Sequence, residues 1–79
     1  MESDKLRPVV GKKQILRFTK ENELKCVQIA TDAEEDYKKS IAEVAALHNV
    51  KVVISGTMQE IAAQHGLDVP CGAVGFFKN

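Results

Sequence analysis

Apolar positions along this chain switch between short runs and helical spacing, and that switching sets the predicted elements. After a polar start, Pro8, Val9 and Val10 form a brief extended run that halts at Gly11. Residues 12–21 have helical composition, with Ile15, Leu16 and Thr19 on one face and Lys13 and Arg17, four apart, on another. Leu24 to Ala30 predicts a strand, Val27 and Ile29 on one side, Cys26 and Gln28 on the other. Thr31 and Asp32 follow as caps for a helix over about 34–48. There Tyr37, Ile41, Val44 and Ala45 keep three-four spacing, and Glu34, Glu35 and Asp36 suit the positive end.

Asn49 is a plausible helix stop. Val50 to Ile54 is rich in β-branched residues with only Lys51 polar, which predicts a central strand buried on both faces. Thr57 and Glu60 form a capping box for a short helix through Met58, Ile61 and Ala62, ended by Gly66. An apolar loop, Leu67 to Cys71, leads to a last strand over Ala73 to Phe77. The order β-α-β-α-β-α-β predicts a layered α/β domain with helices on both faces of the sheet.

Composition narrows the classes. A chain of 79 residues is expected to form one domain, and 44% apolar residues suffice for a modest core. Cys26 and Cys71 stand far apart, without CxxC spacing or a secretory leader, and are expected as reduced core thiols in the cytoplasm. No apolar run approaches the length of a membrane span, so a soluble protein is expected.

Net charge is zero, but it is unevenly spread. Residues 1–26 carry seven basic side chains, Lys5, Arg7, Lys12, Lys13, Arg17, Lys20 and Lys25, against four acidic ones. That asymmetry suggests a basic face for an anionic partner, although charge blocks are often only solvated surface.

Two segments carry candidate chemistry. Gly11, Lys12, Lys13, Gln14 and Arg17 place a glycine, basic groups and an amide at a helix start, where free N–H groups and the dipole attract phosphate. An ordinary strand-to-helix turn with solvated charges would look similar, and the GxxxxGK[ST] pattern is absent. The loop Leu67, Asp68, Val69, Pro70, Cys71 could pack on an unstacked base, or Leu67 and Val69 could simply pin a helix end to the core. Asp32 and residues 34–36 read as cap and acidic first turn rather than as a metal site. His48 and His65 fall near helix ends, and no HExxH or zinc spacing appears. No enzyme, metal or cofactor is expected.

These residues resemble the L7Ae/L30e group of kink-turn RNA-binding proteins, in particular its short bacterial members. The resemblance rests on Val9 to Gln14 with Arg17, on Ile29 to Ala33, and on Thr57, Met58 and Gly66 to Val69. It implies a three-layer α/β/α sandwich on a mixed four-stranded sheet. It also implies that Gly11, Lys12, Lys13, Gln14 and Arg17 meet tandem sheared G·A pairs and nearby backbone. Glu34 would contact a base or ribose, Asp32 would brace its turn, and Leu67, Val69 and Pro70 would cover a flipped-out nucleotide. Archaeal and eukaryotic relatives carry Asn-Glu where this chain has Lys13 and Gln14, and Lys in place of Met58.

The implied partner is structured RNA, ribosomal or riboswitch, with no DNA or membrane partner and a monomeric state. Ribosome association would fit. The alternative function is a protein-interaction module on the same fold, with the Leu67 to Cys71 loop as its surface.

Overall fold

A computed structural model describes residues 8–78. Lys5 and Arg7, counted in the basic segment, lie outside the described residues. The elements are β1 (Val9–Val10), α1 (Lys12–Lys20), β2 (Leu24–Ile29), α2 (Glu35–Leu47), β3 (Lys51–Ile54), α3 (Met58–Gln64) and β4 (Ala73–Phe77). Their order and type follow the apolar periods, with ends shifted by about one residue.

The strands form one mixed sheet in the order β1-β4-β2-β3. β4 runs antiparallel to both β1 and β2, whereas β2 and β3 are parallel. Opposed residues in the ladders share a face, so the registers sort the side chains into two layers. Val9, Leu24, Val27, Ile29, Ala73, Gly75 and Phe77 lie on one side, and Val10, Cys26, Gln28, Val74 and Phe76 on the other.

Helices α1 and α2 pack together on the first side, where Ile15, Leu24, Val27, Ile29, Ile41 and Ala45 are fully buried. The Phe18 ring of α1 meets Phe77 edge-on at 5.2 Å. On the second side His65, just after α3, stands 5.7 Å from the Phe76 ring, and Ile61 of α3 is fully buried. The result is a three-layer α/β/α sandwich.

Helix ends follow local chemistry. The Thr57 hydroxyl accepts from Glu60 N–H at 3.1 Å, and the Glu60 carboxylate accepts from Thr57 N–H at 2.8 Å, completing the predicted capping box. After α2, Asn49 adopts φ 58, and Val50 N–H donates to the Ala45 carbonyl at 2.8 Å, a Schellman closure. The same pattern closes α3: Gly66 follows His65, and Leu67 N–H donates to the Ala62 carbonyl at 2.8 Å.

Three expectations are corrected. β3 is an edge strand and not a central one: Lys51, Val53 and Ile54 are exposed, because β4 pairs between β1 and β2 and not beyond β3, and among the described residues no strand lies outside it. Thr31 and Asp32 do not cap α2, whose N-cap is Glu34 without a side-chain bond. Their side chains reach instead across to the segment that starts α3. Cys26 is only half-buried on the α3 side, whereas Cys71 is buried with its thiol donating to the Ala73 carbonyl at 2.9 Å.

Candidate functional site

Parallel β1, β2 and β3 all finish at the end of the sheet where antiparallel β4 begins. The loops that follow or precede them are thereby collected at one end. Gly11 and the start of α1, the segment 30–34, the turn 55–57 and Gly72 all meet there. Backbone bonds hold them in register: Ala30 N–H donates to the Gly72 carbonyl and Thr31 N–H to the Gly56 carbonyl, each at 2.8 Å. Cys71 N–H donates to the Met58 carbonyl at 3.2 Å.

Gly11 sits at φ 94, ψ 142, a conformation that belongs almost entirely to glycine. A Cβ placed there would have no neighbour within 4 Å, so the demand is conformational and the space beside it is open. Gly11 provides no side-chain cap, and the first turn of α1 contains no acidic residue. The helix start therefore presents N–H groups and positive charge together. Lys13 and Gln14 are exposed and Lys12 is half-buried. Arg17, one turn further on, has Nε 3.5 Å from Glu21 Oε2 and a side chain 65% exposed. An ion pair of that length and exposure contributes well under about 1 kcal/mol, so a phosphate can displace it.

Asp32 braces the second loop. Its Oδ1 accepts from Met58 N–H at 2.9 Å, which satisfies one of the free N–H groups of α3 from 26 residues away. Thr31 Oγ1 donates to the Gly56 carbonyl at 3.1 Å, and Lys38 Nζ donates to the Thr31 carbonyl at 3.2 Å. Asp32→Ala is expected to cost about 1 kcal/mol of unfolding free energy, the usual loss of a cap acceptor, while Asp32→Asn, which keeps an acceptor oxygen, restores most of it. Denaturant midpoints of the three proteins check this; equal losses for Ala and Asn would remove the bracing role.

Between these loops lies a pocket of about 300 Å³, lined by Asp32, Ala33, Glu34, Tyr37, Met58 and Gly72. Its volume is at the small end for ligand sites, and an aromatic ring, a thioether and two carboxylates line it together. Tyr37 connects the pocket to α1. Lys12 Nζ stands 5.9 Å from its ring centroid, and the Lys12 backbone N–H hydrogen-bonds its hydroxyl. Burial holds the Tyr37 phenol above its ordinary pKa and Cys71 adds to the rise, against the Lys12 N–H. The phenol stays neutral at physiological pH and keeps its own proton to donate.

Of the residues picked from sequence, the structure gathers Gly11, Lys12, Lys13, Gln14, Asp32 and Glu34 at this end. Leu67, Val69 and Pro70 line a separate shallow depression with Gln59, Ala62 and Ala63 on α3. Leu67 is half-buried against the core, as a helix-end contact would be, whereas Val69 is 67% exposed and Pro70 is exposed. Tyr37 was missed as a site residue, having been read as a core position of its helix, and Met58 was singled out only as standing where relatives carry Lys. One signal was available for Tyr37, the chain's single tyrosine: its amphipathic ring stands one turn into a helix entered from a loop. Among the described residues, no three His, Cys, Asp or Glu side chains gather where a metal could sit. No helix among them is long and apolar enough to cross a membrane.

Fold and site together define an α/β/α protein with an open, positively charged helix start beside a small pocket. The sequence profile of the Ribosomal protein L7Ae/L30e/S12e/Gadd45 family matches residues 1–79, and the chain belongs to that family. No curated protein matches the chain. Among solved structures, a protein of unknown function from Bacillus halodurans superposes with a TM-score of 0.86 at 17% identity, over 91% of this chain and 72% of that one. The Giardia lamblia 15.5kD RNA binding protein superposes with a TM-score of 0.85 at 18% identity, over 92% of this chain and 62% of its own length. At these identities the likeness is one of fold.

Proposed function

We propose that the chain is a single non-catalytic RNA-binding domain that recognises kink-turns in structured RNA, ribosomal or riboswitch. The observation that carries this reading is the meeting, at one end of the sheet, of the uncapped Gly11 helix start with the Asp32, Glu34 and Tyr37 pocket. Family membership and the likeness of fold to the Giardia RNA binding protein support it.

Lys12, Lys13, Gln14 and Arg17 would meet guanine edges and phosphates at the tandem G·A pairs, with Gly11 admitting the backbone of the RNA. Lys13 can only donate, which suits the O6 and N7 acceptors of guanine, while Gln14 can both donate and accept. The pocket would take the flipped-out nucleotide, its base against Tyr37 and Met58, with the Glu34 carboxylate accepting from a base or ribose donor. Leu67, Val69 and Pro70 would close over the same nucleotide from beyond Met58. A protein built this way traps the bent conformer because it binds that form better than the extended one.

The test compares affinity for a kink-turn duplex with affinity for the same duplex after its G·A pairs are replaced by Watson–Crick pairs. The kink-turn is expected to bind at least about tenfold tighter, the worth of one well-made base contact. Equal affinities would sink the reading, and recovery of a protein in place of any structured RNA would favour the interaction-module alternative. Arg17→Ala is expected to reduce the slope of log K against log salt by about one if it neutralises a phosphate.

A further inference from the structure

The edge strand β3 has the side chains of a buried strand without the cover. Val53 is 39% exposed and Ile54 54%, with Val52 half-buried between them. Its pairing with β2 is unbroken from Lys51 to Ile54, with no bulge and no proline to blunt the edge. Ser55 N–H donates to the Ile29 carbonyl at 3.1 Å, which sets the alternation along β3. Lys51 and Val53 turn their backbone groups toward β2, so Val52 and Ile54 turn theirs outward, where no strand of the sheet receives them.

We propose that β3 pairs antiparallel with β3 of a second copy of this chain, joining two four-stranded sheets across a twofold axis. An axis perpendicular to the sheet keeps each face on its own side, so only residues of like parity can be opposed. One register satisfies all the outward groups. Val52 and Ile54 of one copy form hydrogen-bonded pairs with Ile54 and Val52 of the other, and Val53 meets its own counterpart on the axis. The apolar side chains then cover one another on both faces: Ile54 against Val52 on the α2 side, Val53 against Val53 on the α3 side.

Charge fits as well. Lys51 falls opposite Ser55, so no like charges are opposed. The groove beside Ile54 is lined by Lys39 of α2, and Glu43 lies one turn further along the exposed side of that helix. The two α2 helices run antiparallel across the axis, which brings Lys39 of one copy toward Glu43 of the other. The same arrangement leaves the ends carrying Gly11 and the Tyr37 pocket pointing in opposite directions, both open. A self-complementary edge of backbone, apolar and charged groups is what a second copy matches. A four-residue strand makes the pairing weak and concentration-dependent.

Sedimentation equilibrium of the full chain from micromolar to millimolar concentration tests this, together with amide hydrogen exchange. The expected result is a rise in mass toward twice that of the chain. Val52 and Ile54 amides should gain protection as the dimer forms, while Val53 is protected throughout. Val53→Lys, which sets like charges on the axis at an exposed position, should abolish the rise without altering the circular dichroism. Val10→Lys, at a side chain 38% exposed in β1 on the opposite edge of the sheet, should leave it intact. A chain that stays monomeric to millimolar concentration overturns the proposal. So does association that survives Val53→Lys or is lost in Val10→Lys. Protection of Val52 and Ile54 that does not vary with concentration also overturns it, since the edge would then be covered from within the chain.

Discussion

Leu24→Ala is expected to lower the unfolding free energy by about 2–5 kcal/mol, the usual cost of emptying a fully buried leucine site. Leu24 is 0% exposed and lies under Gly75, where an added Cβ would stand 2.8 Å from Leu24 Cδ1 and 3.6 Å from Ile15 Cγ1. A chain of this size has about 4–12 kcal/mol of stability in total, so one such cavity takes a large share of it. Gly75→Ala alone is expected to cost about 1–3 kcal/mol, because its methyl group is driven into Leu24 between packed layers. The pair of substitutions is the sharper test. The methyl of Ala at 75 points into the space that truncation of Leu24 empties, so the double variant should lose less than the sum of the two single losses. Urea unfolding of the four proteins measures the coupling. Losses that add to within about 0.5 kcal/mol would mean that the two positions do not share that space.

Gly75 was legible in the sequence only as part of a strand; its tight contact with Leu24 depends on a pairing between residues about fifty positions apart. Elements set by local physics were legible. The Thr57 and Glu60 box, the stops at Asn49 and Gly66, and the Ile15, Leu16, Thr19 face all stand where their periods and end signals placed them. β3 was misplaced because β-branched composition reports that a segment suits a pleated strand, and position in the sheet depends on how β4 inserts.

The site divides along the same line. Gly11 and the basic turn after it are contiguous, so their conjunction could be read directly. Asp32 was read as a cap for the helix next in sequence, yet its carboxylate serves α3, a choice decided by which loop ends the sheet brings together. Leu67 was open to two readings, and its half-buried place as the closing residue of α3 matches the pinning one. The part that Tyr37 and Met58 play in the pocket depends on three separate loops and could not be read from either helix alone.

Gly11→Val is expected to remove about 1–3 kcal/mol, divided between folding and RNA binding in a way that the two measurements together reveal. At φ 94, ψ 142 a β-branched residue is strained by about that amount. The chain can hold the turn and lose stability, or relax the turn and move the first N–H groups of α1 away from where RNA would meet them. The free protein has no neighbour within 4 Å of the Cβ position, so packing does not force either course. A relaxed turn would weaken kink-turn affinity by about 5- to 150-fold, the equivalent of the strain it sheds. A retained turn would lower the unfolding free energy by the same amount. Gly11→Ala should show the same pattern with smaller losses. Denaturant unfolding and affinity for a kink-turn duplex are to be measured on the same preparations. Unchanged affinity in a Gly11→Val protein of normal stability would show that this turn neither requires glycine nor meets the RNA.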